Sequence, residues 1–248
     1  MNWSFELEII ELAPKRAIVV TPHPDDAEGG CGGTMAKWIA QSGTDVVVIL
    51  CTNGDKGTGD RNLEPAKLAA IREKEQQDAS DSLGVSRVVF LRHPDGCLED
   101  SEDFRRELVY EIRKHKPEVL FCIDPFRTIT HTHRDHRKSG QCAIDAAFSF
   151  APNPNIFPDQ ISGDVEAFQM DYALLWSTED PDAFVNTEGF VGAKTDSLLC
   201  HVSQIPNPEG TRTRLNDRAA ETGEKCGLSQ AEGFRKVDFR VDPLEQCV

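Results

Sequence analysis

The feature that most constrains the fold of this 248-residue chain is an alternation of short apolar runs with longer amphipathic stretches. β-Branched runs predict four buried strands, at residues 16–21, 45–51, 87–91 and 118–122. Apolar positions at helical spacing predict four helices, at residues 28–41, 64–83, 103–116 and 136–150. Strands that alternate with helices in this way favour a mostly parallel α/β sheet with helices on both faces.

A proline- and glycine-rich stretch at residues 151–163 interrupts this alternation. After it, the sequence predicts one more strand and two more helices, at residues 172–176, 189–201 and 213–225. We therefore expect a catalytic core at residues 1–150 and a smaller C-terminal α/β extension at residues 151–248. The extension is expected to complete the substrate pocket, so that both parts form one integrated domain.

The excess of acidic residues limits the partners that this chain can bind. Asp and Glu number 42 against 27 Lys and Arg, a formal net charge of −15. Such a surface repels nucleic-acid phosphates and anionic lipids, whereas a neutral sugar meets no such barrier. No apolar run approaches the roughly 20 residues that span a bilayer, and the first ten residues lack a secretory signal pattern. We expect a cytoplasmic protein that binds neither nucleic acid nor membrane.

The eight cysteines show no C-x-x-C spacing, and several of them lie inside apolar runs. Metal-binding and redox-active cysteines commonly occur as such close pairs. Reduced thiols that act as small core side chains are the favoured interpretation, and a disulfide framework is the alternative.

The loop after the first predicted strand combines an imidazole with two carboxylates. It reads TPHPDDAE and contains His23, Asp25 and Asp26 directly before a predicted helix. Histidine and aspartate are suitable zinc ligands, and a catalytic zinc site keeps one position open for water. A second carboxylate beside the metal can act as a general base on that water. The sequence therefore predicts a hydrolytic metal site in this loop.

A second group of polar residues follows the fourth predicted strand. Three of the chain's seven histidines, His131, His133 and His136, lie within six residues there. Ligands of parallel sheets bind at the carboxyl ends of the strands, so this loop and the first one can converge on one pocket. The other loops at this edge are residues 52–63 and 92–101.

Two glycine-rich segments do not match nucleotide-binding motifs. The run Gly29-Gly30-Cys31-Gly32-Gly33 follows a charged turn, and its spacing is not that of G-x-G-x-x-G. We interpret these glycines as positions of close contact between helix and sheet. The loop at residues 52–63 lacks the P-loop pattern, and it stays open whether it is a flexible rim or a substrate entrance.

HPDDAE after one strand, combined with HTHRDHRKSG after a later one, resembles the LmbE-like/PIG-L family of zinc-dependent de-N-acetylases. Softer matches lie at Arg72-Glu73 and at residues 83–96, 194–204 and 231–235. The family's first motif commonly reads AHPDDE. Here Pro22 precedes the histidine, Ala27 follows the aspartates, and the glutamate is displaced to Glu28.

The resemblance implies a Rossmann-like fold that binds one Zn²⁺ per chain. It implies that His23, Asp26 and His136 are the metal ligands, that Asp25 is the general base, and that His133 faces the oxyanion. An imidazolium at His133 would stabilise that negative charge best.

Three further residues are predicted to assist the site. Arg72 and Asp95 lie near the candidate loops and are expected to make polar contacts with substrate. Asp135 is next to both later histidines and is expected to orient His133 or His136.

The function that the resemblance implies is hydrolysis of an amide, with removal of acetate from an N-acetylglucosamine-type sugar or conjugate. An alternative is a zinc amidase acting on a thiol conjugate or another non-sugar amide. Less favoured are a metal-free nucleotide-sugar-binding transferase and a non-enzymatic metal-binding protein. Because family relatives include oligomers, we expect a homo-oligomer.

Overall fold

The structure, a computed structural model, describes residues 7–240. Its eight strands form one sheet in the order β1-β7-β8-β6-β5-β2-β3-β4. The strands are β1 (Glu8–Ile9), β2 (Arg16–Thr21), β3 (Asp45–Thr52), β4 (Arg87–His93), β5 (Val119–Ile123), β6 (Tyr172–Trp176), β7 (Ala183–Asn186) and β8 (Ala231–Asp238). The helices are α1 (Asp26–Ser42), α2 (Pro65–Leu83), α3 (Glu102–His115), α4 (Arg134–Asp145), α5 (Val191–Leu198) and α6 (Pro208–Glu224).

The central strands are parallel and buried because their sequences are almost continuously apolar. Val19 of β2 pairs with Val48 of β3 on one side and with Phe121 of β5 on the other. All three side chains are fully buried. Helix α1 contacts α2 and α5, whereas α3 and α4 contact each other. The predicted fold class, a mostly parallel α/β sheet of Rossmann-like type, is confirmed.

The predicted C-terminal extension contributes strands to the same sheet as the predicted core. Strand β6 pairs in parallel with β5, and β8 lies antiparallel between β6 and β7. Strands β1, β7 and β8 were not predicted from the sequence. Strand β7 has only four residues, and β8 carries Glu232, Arg235 and Lys236 among its apolar residues. Neither sequence pattern is a strong signal for a strand on its own. These segments are extended because they pair with neighbouring strands.

Helix α1 is irregular within the glycine-rich run. Cys31 departs from helical geometry, with φ −131° and ψ 16°. Just beyond it, the Glu232 carboxylate accepts hydrogen bonds from the backbone N–H groups of Gly33 and Thr34, at 2.9 and 2.8 Å. A Cβ atom on Gly30 would lie 2.5 Å from the Trp176 ring. Gly30 therefore lies in close contact with the sheet, as predicted.

Helix α4 begins earlier than predicted and ends earlier too. It starts at Arg134, with His133 as its N-cap, and after Asp145 the chain continues as a π-helical turn at Ala146–Phe150. The helix approaches β5 closely, since a Cβ atom on Gly140 would lie 2.3 Å from the Ile123 carbonyl oxygen. This contact fixes the start of α4 against the carboxyl end of the sheet.

The cysteines at residues 7–240 are free thiols, and Cys247 lies outside the described residues. Cys31, Cys51 and Cys122 are fully buried. Burial raises the pKa of each of these three thiols well above its ordinary value, which keeps them protonated. Within residues 7–240, no helix has the length and apolar character needed to cross a membrane.

The pair Gly29 and Gly30 offers a test of helix–sheet packing. Gly30→Ala should lower the free energy of unfolding by about 1–3 kcal/mol, because the added methyl group meets Trp176, which is 2% exposed. Gly29→Ala is the matched control, since no atom lies within 4 Å of its Cβ position. It should be neutral or stabilise by up to about 1 kcal/mol. Urea unfolding of both variants measures the difference, and equal stabilities would contradict the packing interpretation.

Candidate active site

The predicted loops meet in one cavity of about 450 Å³ at the carboxyl ends of β2, β3, β4 and β5. The residues that line it are His23, Asp25, Asp26, Lys56, Gly57, Arg72, Asp95, Gly96, His133 and His136. Each of the four parallel strands contributes the loop that follows it, and α2 contributes Arg72. The structure thus brings all of the predicted site residues to this cavity or its wall, including Asp135 behind it.

Three potential ligand atoms form a nearly equilateral triangle. His23 Nδ1 lies 3.1 Å from Asp26 Oδ2 and 3.2 Å from His136 Nε2, and these last two atoms are 3.1 Å apart. Tetrahedral zinc with bonds of roughly 2.0–2.1 Å separates its ligands by about 3.3 Å. The spacing and the donor types therefore fit a divalent metal ion such as Zn²⁺.

The second ring nitrogen of His23 faces two more carboxylates. His23 Nε2 lies 3.1 Å from Asp95 Oδ1 and 3.2 Å from Asp135 Oδ2. Burial disfavours the imidazolium, yet the hydrogen bonds to Asp135, Asp26 and Asp95 raise the pKa of His23 to about 11. The hydrogen bond from His23 lowers the pKa of Asp95 to about 2. This concentration of negative charge suits a cation between the ligand atoms.

Asp135 orients a different histidine from the two expected. Its side chain is fully buried and accepts hydrogen bonds from the backbone N–H groups of Gly96 (2.7 Å) and Leu98 (3.1 Å) as well as contacting His23. The carboxylate does not contact His133 or His136 among the described residues. Asp135 and Asp95 lie within reach of one ion together with His23. Because both Asp135 oxygens already accept backbone N–H groups, the group with Asp26 and His136 is the better metal site.

His133 borders the cavity, and its tautomer is set by the helix that it caps. Its Nδ1 accepts a hydrogen bond of 3.3 Å from the backbone N–H of Asp135. This contact leaves the ring proton on Nε2, so a neutral His133 presents an N–H donor. The His133 and His23 ring centroids are 4.9 Å apart.

Asp25 occupies a strained backbone position beside the triangle. Its φ of 93° lies in a region that L-residues other than Asn and Asp rarely adopt. Burial, followed by the charge of Asp26, raises the pKa of the Asp25 carboxyl to about 7, while Arg72 opposes this shift. A carboxyl group that titrates near neutrality is well matched to general base chemistry.

Arg72 lies against Asp25 and is only 3% exposed. Its Nη2 donates to the Pro24 carbonyl oxygen (2.8 Å) and to Asp25 Oδ2 (3.2 Å), and its Nη1 donates to the Gly54 carbonyl oxygen (3.0 Å). The hydrogen bonds of this arginine, which was predicted to contact substrate, go from Nη1 and Nη2 to two loops of the protein, and its buried Nε has no partner among residues 7–240. Its observed contacts hold Asp25 in place.

Two residues that were not predicted from the sequence, Thr132 and Glu179, hold the histidine loop. Thr132 Oγ1 lies 3.2 Å from His136 Nδ1, the ring nitrogen that faces away from the triangle. Glu179 accepts hydrogen bonds from the backbone N–H groups of residues 128–130 at 2.7–2.9 Å, and these bonds lower its pKa to about 2. The third histidine of this loop, His131, is exposed and lies beside Arg137.

Together, the sheet and this cluster define a hydrolase of the α/β class whose site suits a divalent metal ion. The family model described as PIG-L, GlcNAc-PI de-N-acetylase, matches residues 18–147. The chain therefore belongs to the PIG-L family, as its two histidine motifs predicted. This membership confirms the predicted reaction, the hydrolysis of an amide bond.

Individual relatives extend the similarity beyond residue 147. The chain is 32% identical over 225 residues to diacetylchitobiose deacetylase of Thermococcus kodakarensis, covering 90% of this chain and 83% of the relative. It is 30% identical over 170 residues to mycothiol S-conjugate amidase of Streptomyces coelicolor, covering 60% of this chain and 56% of that protein. The structure of N,N'-diacetylchitobiose deacetylase from Pyrococcus horikoshii, solved with its inhibitor MPG, aligns with a TM-score of 0.84 and 30% identity over 95% of this chain and 89% of that one.

The raised pKa of Asp25 predicts how the metal-free protein responds to pH. The carboxyl holds its proton up to about pH 7 when folded, against 3.8 for an ordinary aspartate. Its contribution to stability is therefore complete below about pH 4 and is lost as the pH rises towards 7. Metal-free Asp25→Asn should gain stability relative to wild type across this interval. Urea unfolding at several pH values measures this, with exposed Asp164→Asn as control. A constant difference would contradict the raised pKa.

Proposed function

We propose that this chain is a zinc-dependent de-N-acetylase that releases acetate from N-acetylglucosamine-type sugars or their conjugates. The observation that carries the proposal is the triangle of His23, Asp26 and His136 with Asp25 beside it. Three neutral or anionic donors with one open position are typical of catalytic zinc sites. The names of the relatives from Thermococcus and Pyrococcus support an acetylated amino sugar as substrate.

One Zn²⁺ per chain would be held by His23 Nδ1, Asp26 Oδ2 and His136 Nε2. When bound there, zinc supplies Lewis-acid activation of a water molecule and of the amide carbonyl. Asp95 and Asp135 accept the other N–H of His23, and such partners fix the tautomer of a ligating histidine. Nitrogen and oxygen donors suit other divalent ions too, so the metal content must be measured.

The protein's own residues would then move the protons. Asp25 takes a proton from the attacking water and passes it to the departing amine. Arg72 keeps Asp25 oriented for both steps. His133 donates its Nε2 hydrogen to the oxygen that gains negative charge as the carbonyl becomes tetrahedral.

The amidase named for mycothiol S-conjugates favours one alternative, a zinc amidase acting on a thiol conjugate. The products separate the two functions, because only deacetylation releases acetate. A metal-free nucleotide-sugar-binding transferase and a non-enzymatic metal-binding protein fit less well. Neither of them requires a carboxyl group like that of Asp25 beside a set of potential metal ligands. A homo-oligomer and a cytoplasmic location stay predictions.

The first experiment measures zinc per purified chain together with acetate release from N-acetylglucosamine and simple N-acetylglucosamine conjugates, with and without chelator. We expect about one zinc per chain and chelator-sensitive acetate release. Asp25→Asn, which suits the backbone at φ 93°, should keep the zinc and lose about 10²–10⁴-fold in kcat. His136→Ala should lose both zinc and activity.

His131→Ala is the matched histidine control, because His131 contacts Arg137 and not the triangle. It should keep zinc and activity near wild type. Zinc without acetate release would move the proposal to the non-sugar amidase. A protein that takes up no metal even when zinc is supplied, or an Asp25→Asn variant with near-full activity, would refute the proposed chemistry.

The contact between Thr132 and His136 predicts a role in metal affinity. If the Thr132 hydroxyl accepts the Nδ1 hydrogen of His136, it leaves Nε2 free to bind metal. Thr132→Val keeps the shape but removes the acceptor, so zinc affinity should fall about 10–100-fold. Thr132→Ser should retain it. Competition with a chromophoric chelator measures both affinities, and equal binding by the two variants would show that the hydroxyl has no such role.

A further inference from the structure

The active-site cavity has a second lobe that the proposed chemistry does not use. This far lobe, of about 420 Å³, shares Asp25, Asp26, His133 and His136 with the lobe described above. From there it extends to the carboxyl end of β6 and to α6. Its remaining lining includes Trp176, Leu198, Ile205, Arg127, Arg214 and Arg218. A substrate whose amide group lies at the triangle can therefore place another part of itself in the far lobe.

Three arginines line the far lobe of the cavity. Arg214 and Arg218 lie one turn apart on α6, so both project from one side of the helix, while Leu215 and Ala219 are buried. Arg127 reaches the lobe from the loop after β5, and its buried Nε has no hydrogen-bond partner among residues 7–240. Its closest carboxylate contact, from Nε to Glu179 Oε1, is 3.9 Å long.

Among the described residues, Arg214 and Arg218 have no acidic partner even though acidic residues outnumber basic residues in this chain. Neither arginine has a carboxylate within 4.0 Å or a hydrogen-bond acceptor in the part of the chain that the structure describes. Asp217 and Glu221 lie on the same helix but do not pair with them at that distance. The neighbouring Arg212, by contrast, donates to Asp196 at 3.0 Å. The two cavity arginines therefore keep their donors free for a ligand.

We propose that Arg214 and Arg218, assisted by Arg127, bind an anionic group that the substrate carries outside its N-acetyl group. A guanidinium presents paired donors that match the oxygens of a phosphate or a carboxylate. This inference rests on the proposed deacetylase function and narrows its substrate class. The chain is selective for an N-acetylated amino sugar with an anionic substituent over a neutral oligosaccharide.

Binding of products tests the far lobe without requiring turnover. The probes are glucosamine 1-phosphate, a carboxymethyl glycoside of glucosamine, and neutral methyl glucosaminide, each titrated calorimetrically into the zinc-loaded protein. We expect at least one anionic probe to bind about 10-fold or more tightly than the neutral one. The tighter of the two anionic probes identifies phosphate or carboxylate as the group. Equal affinities for all three would overturn the proposal.

Variants separate the arginines from the metal as the source of any preference. The double variant R214Q/R218Q should bring the affinities for anionic and neutral probes close together. Arg212→Gln is the matched control from the same helix and should keep the preference. If the preference survives in R214Q/R218Q, the anion is held by the metal or elsewhere, and the proposal is wrong. Circular dichroism checks that the variants fold.

Turnover adds a second, separable readout. With N-acetylglucosamine 1-phosphate and N,N'-diacetylchitobiose as substrates, we expect kcat/KM to favour the anionic compound, mainly through KM. R214Q/R218Q should reduce this ratio by about 10–100-fold. If no N-acetyl compound is hydrolysed while the arginine-dependent binding persists, the deacetylase function fails and the anion site stands. If acetate is released with no preference for the anionic compound, the deacetylase function stands and the anion site fails.

Discussion

The buried carboxylate of Asp135 is the group on which the site's architecture depends. It lies at the start of α4, accepts backbone hydrogen bonds from Gly96 and Leu98 in the loop after β4, and contacts His23 in the loop after β2. A fully buried charge is tolerated only when its acceptor capacity is used. Because its donors come from separate loops, satisfying this charge also sets the position of His23, a proposed metal ligand. Fold and site are therefore coupled through one side chain.

Around this anchor the protein gathers several carboxylates at one histidine ring. Asp26, Asp95 and Asp135 all approach the single ring of His23, and Arg72 donates to the neighbouring Asp25. A divalent ion in the triangle would lower this repulsion and would also lower the pKa of Asp25. At the strained Asp25, with φ 93°, the two successive carboxylates meet different partners, Arg72 for Asp25 and His136 for Asp26.

Sequence reasoning succeeded where a local pattern determines the outcome. The strands at residues 16–21 and 172–176 have the predicted bounds, and the carboxyl-end rule located the loops that line the cavity. It failed where pairing partners decide the structure. Strand β8 is extended because it lies between β6 and β7, and no period in its own sequence shows this. Likewise, Asp135 is next to His133 and His136 in sequence, but its carboxylate meets His23, 112 residues away.

The residues proposed for hydrolysis and those proposed for substrate selectivity come from different parts of the chain. The triangle, Asp25 and His133 all come from the segment at 18–147 that the family model matches, and their spacing follows from adjacent parallel strands. The far wall of the cavity includes Trp176 at the end of β6, which pairs in parallel with β5, and residues of α6, which contacts β8 and α5. A helix attached in this way can change its exposed side chains without disturbing the ligand atoms. Arg214 and Arg218 occupy such positions, so substrate preference can vary while the hydrolytic centre stays the same.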